Sequence, residues 1–412
     1  MARLASLLEE ILGPDLPVGI RAYDGSRLGP VDAPATLVVR SQRAVRRLVA
    51  APGELGLGRA YVAGELDVKG DIFAALSALR DRLPGARLGP REWAGVLRLL
   101  GPFALRPLPR PPEEARLRGR RHSKERDAAA IAHHYDVSNA FFRLVLGSSM
   151  TYSCAVWADP SVSLEEAQAG KHQLVCRKLD LRPGMRLLDV GCGWGGMVLH
   201  AATHHGATAV GVTISRRQAE WAAKAVAETG LADRVEIRLQ DYRDVGDGPY
   251  DAISSIGMFE HVGLSQLAGY FGRLFSLLPA GGRLLNHGIS RPPSRRTRFG
   301  GRSFIDAFVF PDGELLEVGS VVSTIQRAGF EVRHVESLRE HYALTLRAWV
   351  RNLEANWDRA VAEAGPARAR IWRLYMAASA LNFEAGRTQV HQVLAVRSDG
   401  GRSGLPLRPD FT

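Results

Sequence analysis

The sequence predicts an α/β fold built on a mostly parallel sheet, with a smaller mixed domain ahead of it. Three observations carry this prediction. From Met185 to Ser290 short apolar runs alternate with helical stretches, a pattern that requires a parallel sheet covered on both faces. The first run feeds "LLDVGCGWGG", Leu187 to Gly196, a bare glycine loop at the carboxyl end of a strand, where such sheets bind ligands. The chain has 412 residues, 46% hydrophobic and 24% charged, an ordinary globular mix long enough for two to three domains.

In chain order, residues 1–100 read as the small mixed domain. "ATLVV", Ala35 to Val39, is a strand. Leu55 to Leu79 reads as a short helix, a turn and a second helix opening at Asp71, an N-cap residue type. Residues 101–126 form a proline-rich linker with eight Arg or Lys between Arg106 and Arg126 against three acids. Proline breaks regular structure and the charge favours solvation. A solvated linker and a membrane-surface contact both fit. Residues 127–400 form the main domain, and 401–412 a tail.

The main domain opens with the helix-like "DAAAIAHHYDVSNAFFRLVLG". The next helix starts at a capping box, Ser163-x-x-Glu166, with Leu164, Ala167, Leu174 and Leu179 on a helical period. MRLLDVG, ATAVGVT, RVEIRLQD, YDAISSIG and RLLNHGIS are strands. GGMVLHAATHHG and SRRQAEWAAKAVAETG are helices, the second with a capping box at Ser215-x-x-Gln218, and another helix covers Leu264 to Leu278. The C-terminal part is helical and closes with the strand VHQVLAVR.

The formal charge of +11 and pI near 10 imply an anionic partner, nucleic acid or phospholipid headgroups. An Arg-over-Lys bias sets the ratio of the two but not their excess over acids. Cys154, Cys176 and Cys192 are sparse and lack metal spacing. They fit a reducing cytosol, and no structural zinc or other metal is expected. The N-terminus has no signal-peptide pattern, and no apolar run is long enough to span a membrane.

The glycine loop reads G-x-G-x-G-G from Gly191, not the G-x-G-x-x-G of dinucleotide folds, and it lacks the GK[ST] of a P-loop. With Asp189 ahead of it, D-x-G-x-G-x-G resembles the first motif of S-adenosylmethionine (SAM) methyltransferases. Those usually carry an acid at the end of the second strand to hold the ribose. Here Thr213 stands there, with Gln218 a helical turn on. Neutral polar groups also bond a diol.

The strings HYDVSNAFF, MTYSCAVW, LLDVGCGWGG, GVTISRRQ, LQDYRD and SIGMFEHVG together resemble the cyclopropane-fatty-acyl-phospholipid synthases and their mycolic-acid relatives. The resemblance spans Asp127 to about Arg397 and reaches the N-terminal domain through LGLGRAYVAGELDV. It implies a Rossmann-like SAM methyltransferase with a seven-stranded sheet, acting on membrane phospholipids with unsaturated acyl chains. The enzyme would be cytoplasmic, peripheral to the anionic inner membrane face, with a homodimer as one assembly and no nucleic-acid partner.

In that family the SAM methyl meets a cis double bond, a carbocation forms, and a bound bicarbonate takes the proton that closes the ring. Carried over, the bicarbonate cage is the Cys154 backbone, Glu260, His287, the Ile289 backbone and Tyr342. The resemblance assigns the cofactor to Tyr152, Ser153, Asp189, Gly191, Gly193, Gly195, Thr213, Gln218, Asp241, Tyr242 and Arg243. Taken singly, His287 reads as a satisfied strand-end residue, Glu260 as a helix start and Tyr242 as a half-buried strand-end ring. The coincidence of all five cage types favours the functional reading. Trp194 either packs across the loop or fills core, and Cys192 is a small filler rather than a nucleophile.

One departure is Ser379, where family members often carry cysteine; methyl transfer to an alkene needs no protein nucleophile. The loop Arg291 to Arg302 holds five arginines and no acid, and reads either as a headgroup contact or as a solvated loop. GRTQVHQVL is similar to methylene-forming members of the family, which would leave an exomethylene chain instead of a ring. An RNA methyltransferase is the remote alternative. Against it, the Asn/Asp-Pro-Pro-aromatic motif and any RNA-recognition module are missing. A non-catalytic binder would have lost part of the cage.

Overall fold

Seven strands form the main sheet of the computed structural model, in the order β10-β11-β9-β8-β5-β6-β7. They are β5 (Arg186–Val190), β6 (Thr208–Thr213), β7 (Val235–Leu239), β8 (Ala252–Ile256), β9 (Arg283–Ser290), β10 (Glu331–Ser337) and β11 (Gln389–Val396). β7, β6, β5, β8 and β9 run parallel, and β11 lies antiparallel between β9 and β10. The structure describes residues 4–411 apart from 81, 83–88, 102–105, 107, 117–118, 120–122, 124–125, 128–136 and 294–301.

The central strand explains its own position. Leu187, Leu188 and Val190 of β5 are fully buried, as a strand covered on both faces must be. The chain leaves β5 toward β6 on one side and returns through β8 on the other. This makes a switch point where the loops after β5 and β8 diverge and leave a crevice. β10 escaped the sequence reading because "EVRHVES" is half-exposed along its length, so an edge strand shows no apolar run.

Contacts divide the chain into two compact units. One is Met1–Arg116 with Phe299–Pro311 and Asn356–Leu381; the other is Leu117–Arg298, Asp312–Ala355 and Asn382–Thr412. The first unit is therefore completed by two segments from far along the chain. It holds a four-stranded mixed sheet, β2-β1-β3-β4, made of β1 (Gly19–Arg21), β2 (Arg27–Leu28), β3 (Ala35–Val39) and β4 (Leu66–Gly70).

β4 corrects the turn expected between the helices of Leu55 to Leu79. "LDVKG" pairs antiparallel with β3 from Leu66 to Gly70, but it holds only two apolar residues, Leu66 and Val68, of which Leu66 alone is buried, so its apolar signal is short. Asp71 does open the next helix, accepting the Phe73 amide at 2.8 Å.

The proline-rich stretch is also not simply solvated in its described part. Glu114 is buried and pairs with Arg59 at 2.8 Å and Arg302 at 3.4 Å, all within the first unit. Arg47 donates to the Pro109 carbonyl at 3.0 Å.

In the second unit, α6 (Asn139–Leu146) is capped by Ser138 and α7 (Leu164–Leu179) opens with the expected Ser163–Glu166 capping box. The core face of α7 differs from the expected apolar stripe. Leu174 is half-buried, whereas Gln168, Lys171 and His172 are buried beside Leu164 and Ala167. α8 (Gly196–His205) follows β5, and α9 (Arg216–Glu228) follows β6. The capping box expected at Ser215 is only half made. Ser215 accepts the Gln218 amide, but the Gln218 side chain turns to Thr213 instead.

Among the described residues, no helix is long and apolar enough to cross a membrane. The candidate loop Arg291 to Arg302 lies mostly outside the described residues. Its two ends are held: Arg291 by the Leu315 carbonyl at 3.0 Å and Glu317 at 3.3 Å, and Arg302 by Glu114 and the Ala115 carbonyl.

Candidate active site

A cavity of roughly 1210 Å³, counting its open mouth, occupies the crevice at the carboxyl ends of β5, β6 and β8. Ten of the eleven residues the sequence assigned to a cofactor line it: Tyr152, Ser153, Asp189, Gly191, Gly193, Thr213, Gln218, Asp241, Tyr242 and Arg243. Gly195 does not. A Cβ there would approach the Ala222 Cβ at 3.1 Å, so its bareness serves helix packing.

The loop after β5 is shaped by positive φ at Gly191 (78°) and Gly193 (54°), a region that penalises any side chain. A Cβ on Gly191 would also lie 2.3 Å from Met258 Sδ, whereas Gly193 faces open space. The first glycine is forced by protein, the second leaves room for a ligand. Gly196, at the N-terminus of α8, also lines the cavity, where the first turn of a helix leaves amides without intrahelical partners.

Asp189 is buried and accepts the Ser254 hydroxyl at 2.6 Å. Burial pushes its carboxyl up to about 6, with Ser254 and Lys171 pulling the other way. Lys171 was missed by the sequence reading. It is buried, its Nζ donates to Ser153 Oγ at 3.2 Å, and burial brings its ammonium down to about 8. The visible signal was a Gln-x-x-Lys-His run on the apolar stripe of α7.

At the end of β6, Thr213 Oγ1 donates to Gln218 Oε1 at 2.8 Å, so the neutral pair forms one polar unit on the cavity wall. After β7, Asp241 accepts the Arg243 amide at 2.9 Å and its guanidinium Nε at 2.8 Å. Tyr242 packs edge-on against Tyr270 at 4.9 Å. Tyr152 and Trp194 line the cavity and are backed by buried rings, Tyr152 stacked on Trp349 at 5.2 Å and Trp194 against Phe142 at 4.8 Å. The Trp194 indole donates to Asn139 at 2.9 Å, which fixes its packing role. Cys192 is buried and its thiol is pushed well up by burial, consistent with a filler.

The five cage residues do not line this cavity; they sit against its wall. Met258, His261 and Val262 face it, and Glu260 lies between them on α10 (Phe259–Val262). Glu260 Oε1 accepts the Ile289 amide at 2.6 Å. His287 is two residues back on β9. Cys154 Sγ lies 3.7 Å from the Leu338 carbonyl. Leu338 N–H bonds Val390, which is the register partner of Ile289. Tyr342 also bonds the Leu338 carbonyl through its amide. The five positions thus gather around one end of β9 and β11.

Two atoms here bear on the implied anion. Glu260 Oε2 and His287 Nε2 are buried without a hydrogen-bond partner, a state that costs free energy unless a ligand meets it. Gln392 Nε2 stands 3.2 Å from His287 Nδ1, so Nδ1 accepts and Nε2 carries the proton. Gln392 Oε1 in turn accepts Lys178 Nζ at 2.7 Å, and Lys178 pairs with Glu336. Burial holds His287 near 3 and raises Glu260 to about 7. A buried neutral donor and a buried ionisable acceptor, each without a partner, are groups that a small hydroxylated ligand could satisfy. The Ile289 amide, however, is already used by Glu260. Ser379 is buried in the segment that belongs to the first unit.

Comparison with known proteins agrees with this layout. The family model described as mycolic acid cyclopropane synthetase matches residues 122–393. A probable fatty acid methyltransferase of Mycobacterium tuberculosis is 50% identical over 404 residues, 95% of this chain and 94% of that one. A tuberculostearic acid methyltransferase of the same species is 34% identical over 409 residues, 96% and 91% of the two chains. Among solved structures, a mycolic acid cyclopropane synthase complexed with SAH and CTAB is 35% identical, with a TM-score of 0.62, over 65% of this chain and 98% of that one.

Proposed function

The chain belongs to the mycolic acid cyclopropane synthetase family and is a SAM-dependent methyltransferase, and from that premise we propose that it adds a methylene across a cis double bond of a phospholipid-bound unsaturated acyl chain, giving a cyclopropane. The observation that carries this reading is the pair of partnerless buried atoms, Glu260 Oε2 and His287 Nε2, behind the wall of the cavity. An ordinary methyl transfer to nitrogen or oxygen has no use for a buried anion cage.

When bound, SAM supplies a methyl on a cationic sulfur, and bicarbonate supplies a base. The remaining tasks belong to the chain. Thr213 and Gln218 offer a diol their hydroxyl and amide; Asp189, Gly193 and the amides opening α8 meet the rest of the cofactor. An alkene is a weak nucleophile, so alignment supplies much of the acceleration. The π electrons form the new carbon–carbon bond and a cation remains on the other alkene carbon. It survives only where water is excluded; Tyr152 and Trp194 line the cavity and offer π faces that favour a cation, with the buried rings of Trp349 and Phe142 packed behind them. Loss of a proton closes the ring. Glu260 and the His287 Nε2–H would hold the base, with Tyr342 and the Cys154 backbone completing its cage.

The formal charge of +11 supports an acceptor carried in an anionic membrane surface at the cytoplasmic face. A second reading shares every residue: a hydride shift before proton loss gives an exomethylene chain, the precursor of a mid-chain methyl branch. The 34% identity to the tuberculostearic acid methyltransferase favours keeping it.

The test is to incubate the purified protein with SAM and oleoyl-phospholipid vesicles and analyse the fatty acids by mass spectrometry and proton NMR. A gain of one CH₂ with ring-proton signals is the expected outcome; olefinic methylene signals would select the second reading. Bound SAM with no mass gain would overturn both.

A further inference from the structure

α7 and α8 pack side by side in the second unit, and their facing turns carry a group of soft donors outside the machinery described above. Cys176 comes from α7; His200 and His205 come from α8. One donor atom from each lies within 4.8 Å of the others. The His204 ring is 4.4 Å from that of His200, and His172, which lines the cavity, is 5.5 Å from it. We propose that Cys176, His200 and His205 form a binding site for a borderline-soft divalent cation, zinc foremost, that clamps α7 to α8.

The donor set selects the ion. One thiolate and two imidazoles are the ligands of tetrahedral zinc, with a fourth place for water or His204, and they disfavour magnesium and calcium, which require oxygen. The surroundings match those of a ligating histidine, whose second nitrogen is fixed by a carbonyl or carboxylate. His205 Nδ1 lies 3.3 Å from the Leu181 carbonyl, which can accept the ring proton on Nδ1 once Nε2 turns its lone pair to a metal. Gln173 Oε1 stands 3.2 Å from His200 Nε2 and 3.0 Å from His205 Nε2; an amide oxygen accepts, so both nitrogens donate to it in the metal-free protein, and an arriving ion displaces this contact. Cys176 is buried, but His200 and His205 are half-buried and His204 is exposed, so a hydrated ion can reach the group from solvent.

Binding is a displacement. The Cys176 S–H bond breaks, its proton goes to solvent, and a sulfur–metal bond forms; both imidazoles coordinate as neutral rings. No redox partner is needed. Sequence spacing hid the site, because its ligands sit on two helices separated by β5 and the glycine loop instead of in a Cys-x-x-Cys pair. The opposing explanation is that histidines in the last turn of α8 merely complement its dipole.

The experiment titrates the full-length protein, stripped with a chelator, with zinc by calorimetry and with cobalt(II) by absorption. The expected result is one ion per chain and a thiolate-to-cobalt charge-transfer band. Cys176→Ser should abolish the band. His205→Gln, at a half-exposed position that leaves the core intact, should weaken zinc by at least the roughly 10- to 100-fold that loss of an outer-shell partner costs. Circular dichroism confirms that each variant is folded, and His205→Gln decides alone if Cys176→Ser is not. Absence of stoichiometric binding, a missing charge-transfer band, or unchanged zinc affinity in His205→Gln would each overturn the proposal.

Discussion

Glu260 Oε1 accepts the Ile289 amide at 2.6 Å while Oε2 of the same carboxyl stays buried without a partner. One oxygen is anchored and the other is held ready, and burial raises the group from 4.5 to about 7. A raised carboxyl pKa means that the folded state resists ionisation. Its contribution to stability is complete below the ordinary carboxylate range and is lost as pH rises through about 7. Glu260→Gln keeps the shape and removes the charge. The variant should therefore melt higher than the wild type above pH 7 and equal to it in acid. Its turnover should fall by roughly 10²- to 10⁴-fold, the worth of a positioned acid–base group. Thermal melts and product formation across pH check both; a variant equally active as the wild type would remove Glu260 from the chemistry.

Much of this site was legible because its residues sit at forced places. A glycine loop after a buried strand follows from the ligand-binding edge of a parallel sheet, whereas Thr213, Gln218 and Tyr242 were assigned through the resemblance. The cage was legible only through resemblance, since Glu260 and His287 taken singly look like a helix start and a strand end. What stayed hidden was polar and interior. Lys171, Lys178 and Gln392 are buried charges and amides whose partners come from distant strands, and no local pattern announces a partner 214 residues away. Trp349 was hidden in a helix that reads as amphipathic. The short β4 holds only one repeat of apolar alternation, Leu66 and Val68, and the edge strand β10 lacks the alternation that marks a strand.

Gln392 donates to His287 Nδ1 and is held by Lys178, so the chain fixes which imidazole nitrogen carries the proton. Gln392→Leu releases that choice. Turnover should drop about tenfold, the equivalent of one hydrogen bond of ~1.4 kcal/mol, with SAM affinity unchanged. Comparing kcat with a SAM binding isotherm checks this: an equal loss of SAM affinity would mean that the residue only supports the fold.

The Thr213–Gln218 pair stands where an acid is usual. Thr213→Val and Gln218→Leu each remove one partner of the 2.8 Å bond and should each weaken SAM by about 5- to 10-fold. The double variant should cost less than the sum, because either change already breaks the unit. Calorimetric titration of the three variants measures this; strict additivity would show that the two side chains act on separate parts of the ligand.

Gly191 and Gly193 share positive φ but not surroundings. Gly191→Ala drives a methyl to 2.3 Å from Met258 Sδ and adds backbone strain, costing roughly 1–3 kcal/mol or more of stability. Gly193→Ala meets no protein atom, so its methyl projects into ligand space. It should cost only ~1 kcal/mol of stability yet weaken SAM by at least about tenfold. Denaturant melts and SAM titration of the two variants should rank in opposite orders; the same rank in both would mean that the loop does not meet the cofactor at Gly193.

Glu114 lies in the stretch that reads as a solvated linker, yet its side chain is 1% exposed and faces Arg59 at 2.8 Å and Arg302 at 3.4 Å. Arg110, four residues earlier in the chain, stands 3.8 Å away. Removing one side of a buried ion group leaves its partners charged and desolvated, which typically costs about 3–5 kcal/mol. Glu114→Gln should therefore lower the unfolding midpoint strongly, and the loss should persist at high salt because buried pairs are poorly screened. Glu228→Gln is the control, because its pairing with Lys224 at 3.6 Å is solvent-exposed and should barely register. A Glu114→Gln variant as stable as that control would return the segment to the role of a simple tether.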